Sequence, residues 1–153
     1  MKVTQIHKSK LDIDQYLKKW EYSHGIIFHK HQLVLIKATW QIMQDESELV
    51  LASALGSGKT LMSIVLIDAY LEQNPGAKVL VLAHAQVLLR SQYFQECNKM
   101  NPNFSYCELE HGIDFSEQYR EADVMIAIPQ SLNFLKSDKI NNVKFDLVVM
   151  FGP

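Results

Sequence analysis

Lys59 and Thr60 close the run Ser53-Ala54-Leu55-Gly56-Ser57-Gly58-Lys59-Thr60, whose residue types suit an anion cradle. Small residues at 56, 57 and 58 let the backbone curl until successive N–H groups face one centre. A helix-forming segment over 60–72 follows, and its positive N-terminal end is directed at the same point. In such a loop Ala54, Leu55, Gly56, Ser57 and Gly58 wrap a polyphosphate with main-chain donors. Lys59 reaches the β- and γ-phosphates, and the Thr60 hydroxyl helps hold Mg²⁺. This is the P-loop, or Walker A, pattern with one departure: Ser53 stands where the first glycine is usual. The expected cofactors are ATP and Mg²⁺.

A phosphate loop needs a strand before it and a helix after it, and the flanking sequence supplies both. Apolar residues at 49–52 predict a short buried strand, and 60–72 a helix that Asn74-Pro75-Gly76 stops. Residues 78–83 and 123–128 read as further buried strands, 104–108 as a third candidate, and 146–150 as the last. Helices are expected over 86–99 and near 130–135. Upstream, Ile13, Tyr16, Leu17 and Trp20 lie on one side of a helix over 12–22. Leu33, Ile36, Trp40 and Met43 repeat at helical spacing over 29–44, as a core stripe does. Lys18 and Lys19 read as a solvated helix face, with a phosphate backbone as the alternative. Strands and helices that alternate, with near-continuous apolar strands, indicate an α/β fold with a mostly parallel sheet covered on both faces. Ligands on such sheets bind beyond the carboxyl ends of the strands, where the 53–60 loop falls.

The chain has 153 residues, 48% of them apolar and 21% charged, one domain's worth of ordinary globular composition. Its formal net charge of −2 gives no global attraction for nucleic acid, so any such contact must be local. Cys97 and Cys107 lack metal-ligand spacing and read as packed free thiols. Without a leader or an apolar run near 18 residues, no membrane partner is expected and a cytoplasmic location is the default.

Four segments in order resemble the first motor domain of superfamily 2 helicases and translocases, most closely the restriction-enzyme motor and DEAD/DEAH-related branch. They are the phosphate loop at 53–60; Val-Leu-Ala-His-Ala-Gln-Val-Leu-Leu-Arg-Ser-Gln at 81–92; Ile-Pro-Gln-Ser-Leu at 128–132; and Phe-Asp-Leu-Val-Val-Met at 145–150. Phe28-His29-Lys30-His31-Gln32 is similar to a fifth, whose glutamine lies near the adenine in the family; a polar residue at a helix start is the alternative reading of Gln32. The resemblance implies a RecA-like, three-layer P-loop domain over 25–153, incomplete at its C-terminus, with 1–24 as a helical extension. It also implies DNA or RNA as partner. His84, Ala85, Gln86 and Gln130 fall where the family touches the phosphates of one strand, partly through backbone amides, which read no sequence. Ala85 replaces a basic side chain usual there and Ile128 a threonine. Arg90 either compensates or forms a surface ion pair.

In the family an Asp-Glu pair follows the last of these strands, where the Asp orients Mg²⁺ and the Glu positions and deprotonates the attacking water. Here the aligned residues are Phe151 and Gly152. Asp146 lies five residues earlier, about 16 Å away at ~3.3 Å per residue. Glu108, Glu110, Asp114 and Glu117 fall in a stretch that the pattern does not place. No catalytic residue is assigned, and slow hydrolysis is expected. The family also inserts a later strand between the phosphate-loop strand and the Asp-Glu strand, and adds a second motor domain. Without them, the chain is expected to be the front of a larger motor, with unpaired strand edges and poor stability of its own. The competing readings are a non-catalytic nucleotide-binding or interaction module and another P-loop ATPase such as a phage packaging motor. A kinase would need an arginine-rich lid, and the arginines here are Arg90 and Arg120 alone.

Overall fold

Alternating apolar strands and helices build one all-parallel sheet. The computed structural model describes residues 11–45, 48–51, 59–83, 87–109, 119–127 and 144–151. Along the chain run α1 (Ile13–His24), α2 (Lys30–Asp45), β1 (Glu48–Leu51), α3 (Lys59–Gln73), β2 (Val79–Ala83), α4 (Val87–Met100), β3 (Tyr106–Glu108), β4 (Val124–Ala127) and β5 (Leu147–Phe151). The five strands lie in the order β1-β5-β2-β4-β3, each pair parallel. The expected helix near 130–135 lies outside the described residues.

Local chemistry sets the helix ends. Asp12 caps α1, its carboxylate accepting from the N–H groups of Asp14 (3.0 Å) and Gln15 (3.3 Å). Gly25, in the left-handed region at φ 64°, ends it, as expected where a side chain would be strained. At the start of α2 the His29 carbonyl accepts from Leu33 N–H at 3.0 Å, and the Gln32 side chain reaches back to the His29 N–H at 2.9 Å. That is the glutamine half of a capping box. Asn74 stops α3, its side-chain amide donating to the Tyr70 carbonyl at 3.0 Å, and Gly76 turns the chain at φ 84°.

Side-chain alternation in the strands separates two apolar clusters. Val79 and Val81, Val124 and Ile126, and Leu147 and Val149 face a large cluster shared with α1, α2, α3 and α4. Leu80, Leu82, Met125 and Ala127 face a smaller one with Leu109, Tyr119, Phe145 and Val148. Topology explains the asymmetry. The path β1→β2→β3 crosses the sheet in one direction, so right-handed crossovers put α3 and α4 on the same face; the path β3→β4→β5 returns, and the described residues of those connections pack on the other. Residues 62–69 of α3 are buried without a break, as in a helix enclosed on all sides. Lys18 and Lys19 are exposed. An exposed ion pair, Lys37 to Asp14 at 2.6 Å, links α2 to α1. No described helix is long and apolar enough to cross a membrane.

One expectation fails. β1 and β5 pair directly, Glu48 opposite Val148 through Leu51 opposite Phe151, so no gap with unpaired backbone lies between them. Orphaned N–H and C=O groups on adjacent apolar strands cost about 1–3 kcal/mol each, and closing the sheet removes that cost.

Both cysteines are free. Burial pushes the Cys97 thiol from 9.0 up to about 12, with Glu96 adding to the rise. Burial also raises Cys107, to about 11, against the opposing charge of Lys78. A thiol that holds its proton more tightly when folded loses stabilising effect as pH climbs from its unfolded value toward its folded one. Stability should therefore fall between pH 9 and 12. In urea titrations Cys97→Ala should show a shallower fall than the parent; parallel curves would exclude this origin.

Candidate functional site

The parallel sheet brings the carboxyl ends of its strands to one edge. Leu51 of β1, Phe151 of β5 and Ala83 of β2 stand in register there, and Leu82 of β2 lies opposite Ala127 of β4. Lys59 and Thr60 form the first two positions of α3, the helix that follows β1, and both are half-buried. The first turn of α3 carries no acidic residue, so nothing within it offsets the positive end of the helix. An ammonium, a hydroxyl and helix N–H groups together make a donor set for a polyphosphate, and they fit ATP with Mg²⁺ in chemistry. Ala54, Leu55, Gly56, Ser57 and Gly58 lie outside the described residues.

Behind this edge, polar groups tie α3 to α4. The Ser63 Oγ donates to the Thr60 carbonyl at 2.8 Å and lies 2.8 Å from the Tyr93 hydroxyl. Ser63 is 1% exposed and Tyr93 3%. Burial holds the Tyr93 phenol well above its ordinary pKa. Sequence reasoning did not single out this pair. Its one sequence signal is a serine inside an otherwise apolar stretch of α3.

Gln32 is buried, and its side-chain oxygen accepts from the His29 backbone. His84, Ala85, Gln86 and Gln130 lie outside the described residues. The strands that precede them in the chain, β2 and β4, are hydrogen-bonded neighbours. Arg90 falls in the first turn of α4.

The acids at 108 and 146 do not approach Lys59. Asp146 precedes β5 at the opposite edge of the sheet, where its carboxylate accepts from Lys78 N–H at 2.8 Å and its own N–H donates to the Lys78 carbonyl at 2.7 Å. Glu108 ends β3, four strands from β1 in the sheet, or about 19 Å at ~4.8 Å per strand. Glu110, Asp114, Glu117 and Gly152 lie outside the described residues. Among the described residues no group of three His, Cys, Asp or Glu side chains is placed to hold a metal ion.

The parallel sheet is that of a RecA-like core, and the matches that follow identify a superfamily 2 helicase motor domain. The model of the type III restriction enzyme res subunit family matches residues 25–150, most of the chain, and the chain belongs to that family. Among solved structures it is similar to the SWI2/SNF2 ATPase core of Sulfolobus solfataricus, solved in complex with dsDNA. That likeness has a TM-score of 0.66 at 19% identity, covering 81% of this chain and 25% of that one. A nuclease-deletion mutant of the type ISP restriction-modification enzyme LlaGI, solved with a DNA substrate mimic, aligns at TM-score 0.47 and 15% identity, over 82% of this chain and 12% of that one. The chain thus spans a quarter or less of the length of these structures. No curated protein matches it.

Proposed function

We infer that this chain is the ATP-binding part of a nucleic-acid-dependent ATPase, a helicase or translocase motor. The observation that carries the reading is the place of Lys59 and Thr60 at the head of α3, the helix that follows β1 in the chain, within a family match over 25–150. Main-chain donors from Ala54 to Gly58 would wrap the triphosphate. The Lys59 ammonium would neutralise its β- and γ-oxygens, and the Thr60 hydroxyl would ligate Mg²⁺. Gln32 would sit near the adenine while its oxygen holds the turn at His29. His84, Ala85, Gln86 and Gln130, which follow adjacent strands in the chain, would form a backbone-reading track for DNA or RNA, with Arg90 as a phosphate ligand. Bound Mg²⁺ would supply charge neutralisation between the terminal phosphates.

Hydrolysis is a different matter. Phe151 ends β5 where the family carries its acids, and Asp146 is engaged at the far edge. A positioned base and a metal-orienting carboxylate supply much of the acceleration in phosphoryl transfer. Their loss favours a second reading, in which this chain holds nucleotide without turning it over.

Titrating the chain with a fluorescent ATP analogue tests the proposal. Saturable binding with Kd below about 1 mM, or about 4 kcal/mol, is expected, weakened at least about tenfold by EDTA. No saturation by millimolar nucleotide would sink it. Phosphate release indistinguishable from buffer would support the non-catalytic reading, and steady turnover would reject it.

A further inference from the structure

Two helices start at the two ligand-facing loops of this reading: α3 behind the phosphate loop, and α4 behind residues 84–86. Deep between them lies the Ser63–Tyr93 hydrogen bond. Ser63 has one proton, and its Oγ donates it to the Thr60 carbonyl at 2.8 Å. While that proton is directed at the Thr60 carbonyl, the donor in the 2.8 Å bond to Tyr93 is the tyrosine hydroxyl. A chain of two bonds, the first buried and the second half-buried, thus connects the second turn of α4 to the first turn of α3, at Thr60. Tyr93 remains a donor throughout the neutral range, because burial holds its proton on. Neither hydroxyl is needed to fill the core: Ser63 sits between Met62 and Ile64 in an enclosed helix, and Tyr93 belongs to the same apolar cluster as Ile64 and Ile67. What the hydroxyls add over apolar groups is direction. Dispersion contacts let two helices slide by fractions of an ångström, whereas a hydrogen bond weakens steeply away from its preferred distance and angle.

We propose that Tyr93 is a positioning residue which, through Ser63, ties the placement of α4 to the Thr60 turn, so that nucleic acid held beyond β2 alters the affinity for nucleotide beyond β1. This rests on the motor reading above. A shift of α4 on engaging the track moves the Tyr93 hydroxyl, and Ser63 passes that constraint to the carbonyl of the residue whose hydroxyl would ligate Mg²⁺. By linkage, nucleotide must alter nucleic-acid affinity by the same factor.

The test measures the Kd of a fluorescent ATP analogue for the full chain with and without a saturating mixed-sequence DNA duplex, and repeats this with an RNA duplex. The ratio of the two Kd values is the coupling factor. Tyr93→Phe keeps the ring and removes the bond. Ser63→Ala removes both bonds and suits a helix, so it serves if the tyrosine variant does not melt cooperatively. The parent should give a ratio of about 5 or more with at least one duplex, and either variant should bring it at least about threefold closer to 1. If the two residues act as a unit, the double variant has the ratio of the single ones. A purely structural role would lower melting temperatures and leave the ratio unchanged. A parental ratio in both variants overturns the proposal while the motor reading stands, as does a parent that binds nucleotide with a ratio of 1. A parent that binds no nucleotide takes the motor reading down as well.

Discussion

Lys59→Ala should weaken ATP binding roughly 30- to 150-fold while leaving the fold intact. The side chain heads α3 and is half-buried at the carboxyl edge of the sheet. A charge-assisted hydrogen bond of an ammonium to phosphate oxygens is worth about 1.5–3 kcal/mol, and a site shielded by protein on one side keeps it toward the upper end. Two to three kcal/mol converts to roughly that loss in Kd. The first turn of α3 offers no acidic partner that the lysine would leave behind, so the substitution strands no charge within it. Alanine is also the better helix former, so the melting temperature should hold or rise slightly. Lys59→Arg separates charge from shape: a planar guanidinium retains the charge but not the compact ammonium geometry, and should recover only part of the affinity. Fluorescence titration with the ATP analogue reads all three proteins. An alanine variant that binds as tightly as the parent would remove the phosphate-loop assignment.

How much of this could be read from residues alone depends on whether the information is local. Val79–Ala83 and Val124–Ala127 are short apolar runs of the kind a doubly covered strand carries, and both form where expected, within a residue or two at their ends. Ile13, Tyr16, Leu17 and Trp20 repeat at helical spacing and are all buried; so are Ile36, Trp40 and Met43. Asp12 and Gly25 set the ends of α1 through capping, which acts over four residues. The direct pairing of β1 with β5 was not legible, because it joins residues about a hundred apart and depends on which strand is available to fill an edge. Gln32 shows the limit for a site residue. A glutamine near a base and a glutamine in a capping box occupy the same sequence position, and the bond to His29 N–H supplies the second role without removing the first. Ser63–Tyr93 and Trp20–Asp68 join positions 30 and 48 residues apart, and nothing in either neighbourhood names the partner.

The Trp20–Asp68 pair should dominate the stability of the fold, and Trp20→Ala should cost about 4–8 kcal/mol. The indole is 2% exposed, stacks on His24 with centroids 3.6 Å apart, and donates from Nε1 to Asp68 Oδ2 at 2.9 Å. Truncating a buried tryptophan costs about 3–5 kcal/mol in lost burial and cavity. It also takes the donor from a carboxylate that is 3% exposed, and an unsatisfied buried polar group adds about 1–3 kcal/mol. The sum approaches the whole stability of an ordinary domain, so the variant should be largely unfolded at 37 °C. Nearby Tyr16 shows how enclosed the site is: burial, then the Asp68 charge, raise its phenol above the ordinary range. Trp20→Phe isolates the bond, since it keeps an aromatic body and loses the N–H. It should cost less than the alanine change, and Asp68→Asn, which keeps an acceptor, less again. Replacing both partners, Trp20→Phe with Asp68→Leu, leaves neither group wanting a partner, and its loss should be smaller than the sum of the two single losses. Urea denaturation followed by far-ultraviolet circular dichroism measures each. Strictly additive losses in that cycle would mean that the 2.9 Å contact contributes nothing of its own.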